Sequence, residues 1–502
     1  MFYSYNAKTP RRPSRVPMRL LILPVIALTL LMFAFAPVAA PAQGKPNALP
    51  AITDFFNLGP IGGKAYPTDA ANLGDAKSAL TVASVALKRA GAEAGLVAGD
   101  MIVGAGKPFE KDAYLELAQA IEAAQATESG ALKLSIRRKG AASELSVTLP
   151  VYGVATNPGG KPGDAMRDAL LKDALQFLAI QQQPDGSFPC TLNAEPGIVV
   201  QTSIAGLAFL AAGNTASSGD HARRVEKAAE FVLDNVGVQR QFKTLNGKNS
   251  DYTHWSLGFG AIFLAHVFKL TDAKWLNKSS LKGIKSKLNS IRGKIYSGVK
   301  ESGGFGHGPG GPNLLNYIEL EAMSNLLLTA LGCIKQCGID LDAKKLEPML
   351  KFCEACTDAE GSVGYSTTEP QSFIHLPTRS AGLANALAAL GLKEHALFSK
   401  VTACAKAHFA DAFGGHSTPV MGVLAMALVA KREGVLDDFW KAMRHELTMA
   451  QSPDGTFAYR PTADTQMLGM NLDRDMNACW TTSHWALILC LEKTGLPLFS
   501  PA

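Results

Sequence analysis

The chain has 502 residues, 18% of them charged and 47% hydrophobic, with a formal net charge of +6. Five basic and no acidic side chains lie in residues 1–42, so the remainder holds 44 Lys plus Arg against 43 Asp plus Glu, a balance of +1. That near-neutrality, with basic clustering read at Arg137-Arg138-Lys139 on a predicted hairpin turn, argues against nucleic acid as a partner.

At the N-terminus, Lys8, Arg11, Arg12, Arg15 and Arg19 precede an apolar run from Leu20 to Ala36 and the small residues Ala40-Pro41-Ala42. This is the layout of a secretory signal peptide over residues 1–42, which predicts an exported protein, periplasmic or secreted. Pro24 and Pro37 interrupt and close the run, so membrane association is expected only through an uncleaved signal segment. A short linker, 43–52, follows.

Residues 53–152 change character. A strand is predicted over 80–85, a helix over 112–126, and strands over 132–137 and 144–149. Between the first strand and the helix stands Gly95-Leu96-Val97-Ala98-Gly99-Asp100-Met101-Ile102, with Gly106 before Lys107. The stretch and the order of elements resemble a PDZ domain. That resemblance implies capture of a protein C-terminal peptide, its carboxylate held by backbone N–H groups of the loop Leu58, Gly59, Ile61 and Gly62. Pro60 in the same loop has no N–H to offer. A Gly/Pro linker, 153–165, separates this domain from the rest.

From residue 166 to 502 one phrase returns. Gln183-Pro184-Asp185-Gly186-Ser187-Phe188 near the start is answered by Ser452-Pro453-Asp454-Gly455-Thr456-Phe457 near the end, with weaker copies at Gly247, Gly303, Gly361 and Gly414. Pro presets a tight turn, Asp bonds its own backbone and Gly accepts positive φ. The six turns are 61, 56, 58, 53 and 41 residues apart, room for two helices each. After each comes a helix of small and apolar residues, predicted at 202–212, 253–268, 316–331, 378–390, 417–430 and 481–491. Sequences such as 222–235 and 437–450 are amphipathic instead. The reading is a multidomain chain: a small α+β PDZ-like domain, then an all-α (α/α)6 toroid of six helical hairpins, the buried helices inside and the amphipathic ones outside. The turn and small-residue helix resemble prenyltransferase and squalene-cyclase repeats. The whole arrangement resembles an uncharacterised exported bacterial family of planctomycete type, which implies no activity.

Inner helices that run the same way bring their N-termini, with unpaired N–H groups, to one rim that favours anions. Near that rim the sequence places Thr202, His254, Trp255, His307, Asn316, Tyr317, Arg379, His416, Thr418 and His484. The ligand-binding candidates are His254, Trp255, His307, Asn316, Arg379 and Thr418, and the catalytic candidates are Tyr317, His416, His484 and Glu319. Glu319 and Glu321 are expected in an apolar inner helix, where one carboxyl is raised toward an acid or base role.

Three functions remain open. The first is a scaffold whose small domain takes a peptide while the ring mouth holds a small anionic or sugar-like ligand. The second is a lyase or hydrolase on an acidic glycan, with Asn316, Tyr317, Arg379 and His416 at work. The third is zinc-dependent prenyltransferase or terpene-cyclase chemistry, for which Asp475, Cys479 and His484, or Asp473-Arg474-Asp475, are loose matches. No cofactor or metal is assigned. Cys333, Cys337, Cys353 and Cys356 are open among buried hydrophobes, disulfides and a zinc site, and a closed ring would bring Cys190 toward Cys479 or Cys490.

Overall fold

Six strands in chain order make one antiparallel meander at the N-terminal side: β1 (Phe56–Asn57), β2 (Gly63–Thr68), β3 (Ala79–Val85), β4 (Met101–Ala105), β5 (Ala131–Arg138) and β6 (Ala141–Thr148). The computed structural model describes residues 54–68, 74–152, 160–191, 194–238, 242–243, 249–250, 252–309, 319–367, 376–462, 471–493 and 496–497. Alternation sets the buried face, as in β5, where Leu132, Leu134 and Ile136 point inward and their neighbours outward. A short helix α1 (Ala90–Glu93) and the longer α2 (Ala113–Gln125) complete this region, α2 starting where the Asp112 carboxylate accepts the N–H groups of Tyr114 and Leu115. The acidic residue of the Gly-Asp motif is structural. Asp100 is fully buried, which opposes its charge, but Arg138 binds both carboxylate oxygens at 2.7 and 2.8 Å and the Val97 N–H adds a third bond, so its pKa is held below the ordinary value.

The helices that follow alternate between two layers. The inner layer is α4 (Ala194–Ala211), α6 (Thr253–Leu270), α9 (Glu321–Gln336), α11 (Pro377–Leu390), α13 (Pro419–Arg432) and α16 (Ala478–Cys490). The outer layer is α3 (Asp164–Gln181), α5 (Ala222–Asn235), α8 (Ile284–Gly298), α10 (Ala343–Ala355), α12 (Ala396–Ala407) and α14 (Leu436–Ala450), with the short α7 (Ala273–Lys278) before α8 and α15 (Leu472–Asp475) before α16. Each inner helix packs on the next, and α16 packs on α4, so the ring closes. The expected pairs of predicted helices are present, although the first inner helix starts at Ala194 rather than 202 and the third at Glu321 rather than 316.

Closure is also visible in the turns. Gly186, Gly303 and Gly361 each adopt positive φ and sit against a backbone carbonyl of a following outer helix: Lys227 in α5, Pro348 in α10 and Lys400 in α12. Gly455, in the last copy, sits against Asp173 in α3, the first outer helix. The last turn therefore finds its partner in the first unit. Other bonds repeat with it: the Asp185 and Asp454 carboxylates accept from Ser187 and Thr456, and Thr202 and Thr482 accept the N–H of Phe188 and Phe457.

The small residues of the inner helices have a matching cause. A Cβ on Gly206 would lie 2.4 Å from Phe263 of the next inner helix, one on Gly258 2.5 Å from Leu326, and one on Gly332 2.5 Å from the Ala389 backbone. Glycine lets neighbouring inner helices approach closely. The axis is filled as well. Phe259 of α6 meets Trp480 of α16, with ring centroids 5.9 Å apart, although α4 lies between their helices in the ring. Both side chains are buried.

The small region is docked on the ring. Ile52–Ala502 is one compact unit. Asn57 Nδ2 donates to the carbonyls of Met449 at 2.7 Å and Gln451 at 3.0 Å, satisfying the C-terminal end of α14, and Met449 enters the small region's core. Leu58, Gly59, Ile61 and Gly62 are buried, and a Cβ on Gly59 would lie 2.5 Å from the Thr448 carbonyl. The outer edge of β2 is taken by β1, with Phe56 opposite Ala65 and Asn57 opposite Lys64. The loop expected to bind a peptide therefore lies against the end of α14.

Candidate functional site

Side chains from four units meet at the rim where α6, α9, α11 and α13 begin. The backbone brings them there: His254 N–H donates to the His307 carbonyl at 3.0 Å, and Glu321 N–H to the Tyr365 carbonyl at 2.9 Å, so each helix start is tied to the next unit's loop. Trp255 Nε1 donates to His307 Nδ1 at 2.8 Å, and Tyr252 packs on the same imidazole at 4.8 Å between centroids. The Arg379 guanidinium lies over the Tyr365 ring, 4.6 Å from its centroid, and His416 meets that ring edge-on at 5.5 Å. Burial raises the pKa of the Tyr252 hydroxyl above its ordinary value, and Tyr365 adds to the shift. Tyr252, Trp255, His307, Tyr365 and His416 are all partly exposed.

Since Nδ1 of His307 accepts a bond, its proton sits on Nε2. Burial, then the neighbouring His254, lowers its pKa to about 4, so the ring is a neutral donor at physiological pH. Below the rim lies Glu321, the first residue of α9 and fully buried. Asn325 Nδ2 donates to Glu321 Oε2 at 2.9 Å and to the Arg379 carbonyl at 3.1 Å, while Oε1 has no partner among the described residues. Burial raises this carboxyl to about 8, with Arg379 and then Asn325 opposing the shift.

A carboxyl raised in the fold contributes stability below its unfolded pKa and loses it as pH rises through the folded value. Glu321 should therefore weaken the protein between about pH 5 and 8, by a few kcal/mol at about 1.4 kcal/mol per pKa unit. His266 and His484, lowered to about 4 by burial, act oppositely and lose stability as pH falls below 6.5. Urea unfolding at several pH values should show this loss in the natural sequence and a smaller one in Glu321→Gln, where the buried Asp473, raised to about 7, still contributes.

Not every expected residue joins the cluster. Trp255, His307, Arg379 and His416 do. His254 is fully buried, with Nδ1 2.8 Å from the Gly306 carbonyl and its ring edge-on to Phe305, so it pins the turn rather than facing the mouth. His484 lies a turn into α16, buried on Trp480 with Nδ1 2.8 Å from that residue's carbonyl. Glu319 is corrected: it precedes α9 instead of lying within it, and its carboxylate takes the Ser302 hydroxyl at 2.8 Å on the outside. Thr202 is a buried acceptor for Phe188 N–H, and the Thr418 hydroxyl rests on Met421 Sδ at 3.3 Å. Asn316 and Tyr317 lie outside the described residues. Sequence reading missed Tyr252, Tyr365 and Asn325. Tyr365 directly follows Gly364 of a repeated turn and Tyr252 directly precedes an inner helix, positions that carried the signal.

The residues named for metal or cyclase chemistry serve the scaffold. Asp473 is buried with both oxygens engaged, by Val420 N–H and Trp480 Nε1, and burial lifts it to about 7 against those two bonds. Asp475 accepts from Arg474, which also binds Asp54. Among the described residues no group of three or more His, Cys, Asp or Glu could hold a metal ion. Cys333, Cys337, Cys353, Cys356, Cys404, Cys479 and Cys490 are buried thiols. Burial raises Cys479 to about 12, and Asn477 Nδ2 donates to the Pro189 carbonyl at 3.0 Å, which sets the first unit beside the last as ring closure requires.

A six-stranded antiparallel sheet docked on a closed ring of paired helices, with an aromatic and cationic mouth, defines the class of protein. Residues 167–498 match the model of a family described as Domain of unknown function (DUF6288), and the chain belongs to that family. No curated protein matches it. Among solved structures it is similar to an inactive variant of the alpha-1,6-mannanase GH76A of Salegentibacter sp. HEL1_6 in complex with alpha-1,6-mannotriose, at 11% identity over 64% of this chain and 99% of that one, with a TM-score of 0.41. It is also similar to the type II terpene cyclase MstE from Scytonema, at 13% identity over 65% and 98%, TM-score 0.38. A third is a possible GH105 family member from Klebsiella pneumoniae subsp. pneumoniae MGH 78578, at 14% identity over 66% and 93%, TM-score 0.41.

Proposed function

We propose that the ring mouth binds a small anionic or sugar-like ligand. The observation that carries this reading is a pair of contact clusters near one rim, Trp255 and Tyr252 on His307, and Arg379 and His416 on Tyr365, each drawn from two units. Aromatic faces offer a platform for a sugar ring, Arg379 offers a fixed cation that its Tyr365 contact orients, and the neutral His307 offers a hydrogen-bond group. A uronate, which joins a ring to a carboxylate, suits all three. Titration of the protein with a digalacturonate, followed by calorimetry, should show binding that Arg379→Ala weakens at least tenfold, about 1.4 kcal/mol, and Arg379→Lys weakens less. Equal affinity in all three proteins would dismiss the reading.

Glu321 supports a second reading, in which the protein is a lyase or hydrolase acting on an acidic glycan. A carboxyl raised to about 8, beside Arg379 and with one oxygen unpartnered among the described residues, is suited to hold a proton near neutral pH. Growth of unsaturated-uronate absorbance, or of reducing ends, that is lost in Glu321→Gln would establish it.

In this reading residues 1–42 direct export, 53–152 form a PDZ-like module, and 166–502 form the ring. The module's role is then to hold the end of α14 rather than a separate protein's tail.

A further inference from the structure

Residues 273–300 contain Lys274, Lys278, Lys282, Lys285, Lys287, Arg292, Lys294 and Lys300 and no Asp or Glu. With these eight set aside, 36 basic side chains face 43 acidic ones in the rest of residues 43–502. The near-neutral balance read from composition therefore hides a concentrated positive segment, larger than the Arg137-Arg138-Lys139 cluster that drew attention in the sequence. The fold puts it on the outer perimeter. Ile284, Leu288, Ile291 and Ile295 of α8 are buried against the ring, which leaves Lys282, Lys285 and Lys294 exposed and Lys287 and Arg292 half-exposed.

Among the described residues none of the eight forms an ion pair, and the contacts that exist are with carbonyls, Lys294 Nζ on Gly237 at 2.8 Å and Arg292 Nη1 on Asp340. Partial burial and then Lys294 lower the pKa of Lys287, with Asp234 of the neighbouring outer helix opposing the shift. Alongside runs a groove of about 380 Å³, lined by Lys285, Ser286, Asn289 and Arg292 of α8 and by Gly338, Ile339 and Asp340, so two cations face one carboxylate there. Lys285, Asn289 and Arg292 are four and three residues apart and share one helix face.

We propose that this face is a second binding surface, for an anionic polysaccharide that lies along α8 and seats a sugar unit in the groove. It goes beyond the mouth reading and does not depend on it. The side chains choose between polyanions. Seven of the eight cations are Lys, hydrated point charges rather than the planar forks that grip phosphate in pairs. Trp275 and Tyr296 are half-buried, and the Tyr296 oxygen accepts the Asp342 N–H at 3.0 Å, so no aromatic platform is offered for stacking bases. The apolar side of α8 is used by the ring, so the helix cannot insert into a lipid surface. Ser286 and Asn289 suit a ligand rich in hydroxyl groups.

The test is affinity electrophoresis and calorimetry of the full chain with polygalacturonate, dextran, duplex DNA and vesicles containing anionic lipid. The expected result is polygalacturonate binding that weakens with salt, no retention by dextran, and, in K278Q/K282Q/K285Q, a loss of about tenfold or more with a log–log salt dependence shallower by about two to three. These exposed changes leave the apolar face of α8 intact, and an unchanged Tm checks that. Unaltered polygalacturonate affinity in the triple variant, or tighter binding of DNA or vesicles than of polygalacturonate, would overturn the proposal. If Arg379→Ala abolishes polygalacturonate binding while the triple variant does not, the mouth reading stands and this one fails.

Discussion

Gly303→Ala is expected to destabilise the protein by about 3–5 kcal/mol, the range reserved for substitutions with a severe local clash. Gly303 has φ +88°, and a Cβ there would lie 2.0 Å from the Pro348 carbonyl oxygen and 2.6 Å from its carbon. Strain in the left-handed region alone is worth on the order of 1–2 kcal/mol. The contact adds more, because the obstacle is the backbone of α10 and cannot rotate away. Pushing α10 outward would also pull on the turn bonds Gly303 N–H to Lys300 and Lys300 N–H to Gly304. Gly414 is the control. It occupies the corresponding place in the fifth copy, yet its φ is not positive and a Cβ would meet nothing within 4 Å. Gly414→Ala should shift stability by about 0.5 kcal/mol or less. Urea titrations of the two variants decide the matter, and equal midpoints would mean that the repeated glycine is a remnant of sequence rather than a device of the fold.

That contrast shows what the sequence carried. Pro-Asp-Gly declared itself because part of its chemistry is local: the Asp185 and Asp454 carboxylates bond two residues ahead, and Gly186 and Gly455 adopt positive φ. Helix 222–235 was legible for the same reason, its apolar stripe being a property of one segment. The fifth turn misled, since Phe409–Gly414 forms a 3-10 helix that a count of glycines does not register.

The mouth was legible by residue type and not by direction. Trp255, His307, Arg379 and His416 stand near the rim, but His254, one residue from Trp255, packs edge-on against Phe305. A shift of one residue turns a helical side chain by about 100°, and no local pattern in an all-apolar helix fixes which face is which. Glu319 and Glu321 were separated by the helix boundary, a feature that the Glu321 N–H bond to the Tyr365 carbonyl sets from another unit. The positive outer face went unread because net charge averages over the chain, whereas residues 273–300 concentrate it.

The second large effect is expected at the joint between sheet and ring. Glu122 of α2 and Arg444 of α14 are each 1% exposed and belong to different layers of the molecule. Arg444 Nε lies 3.9 Å from Glu122 Oε1, Thr448 Oγ1 donates to the same oxygen at 2.9 Å, and the remaining guanidinium nitrogens reach the Gly160 carbonyl at 3.0 Å and Met166 Sδ at 3.1 Å. One arginine thus ties the small region, the start of the ring and its last outer helix. Glu122→Ala leaves that arginine charged and buried, so the loss should be about 3–5 kcal/mol, well above the lost attraction itself. Removing both charges with matched apolar side chains, as in Glu122→Leu with Arg444→Met, should restore most of it. Amide exchange at Leu58 to Gly62 gives an independent reading, since this segment lies against the docked α14. In Glu122→Ala its amides should exchange faster while the turns at Gly186 and Gly361 keep their protection. Equal acceleration everywhere would mean that sheet and ring unfold together, and the pair would then be one contact among many in a single cooperative body.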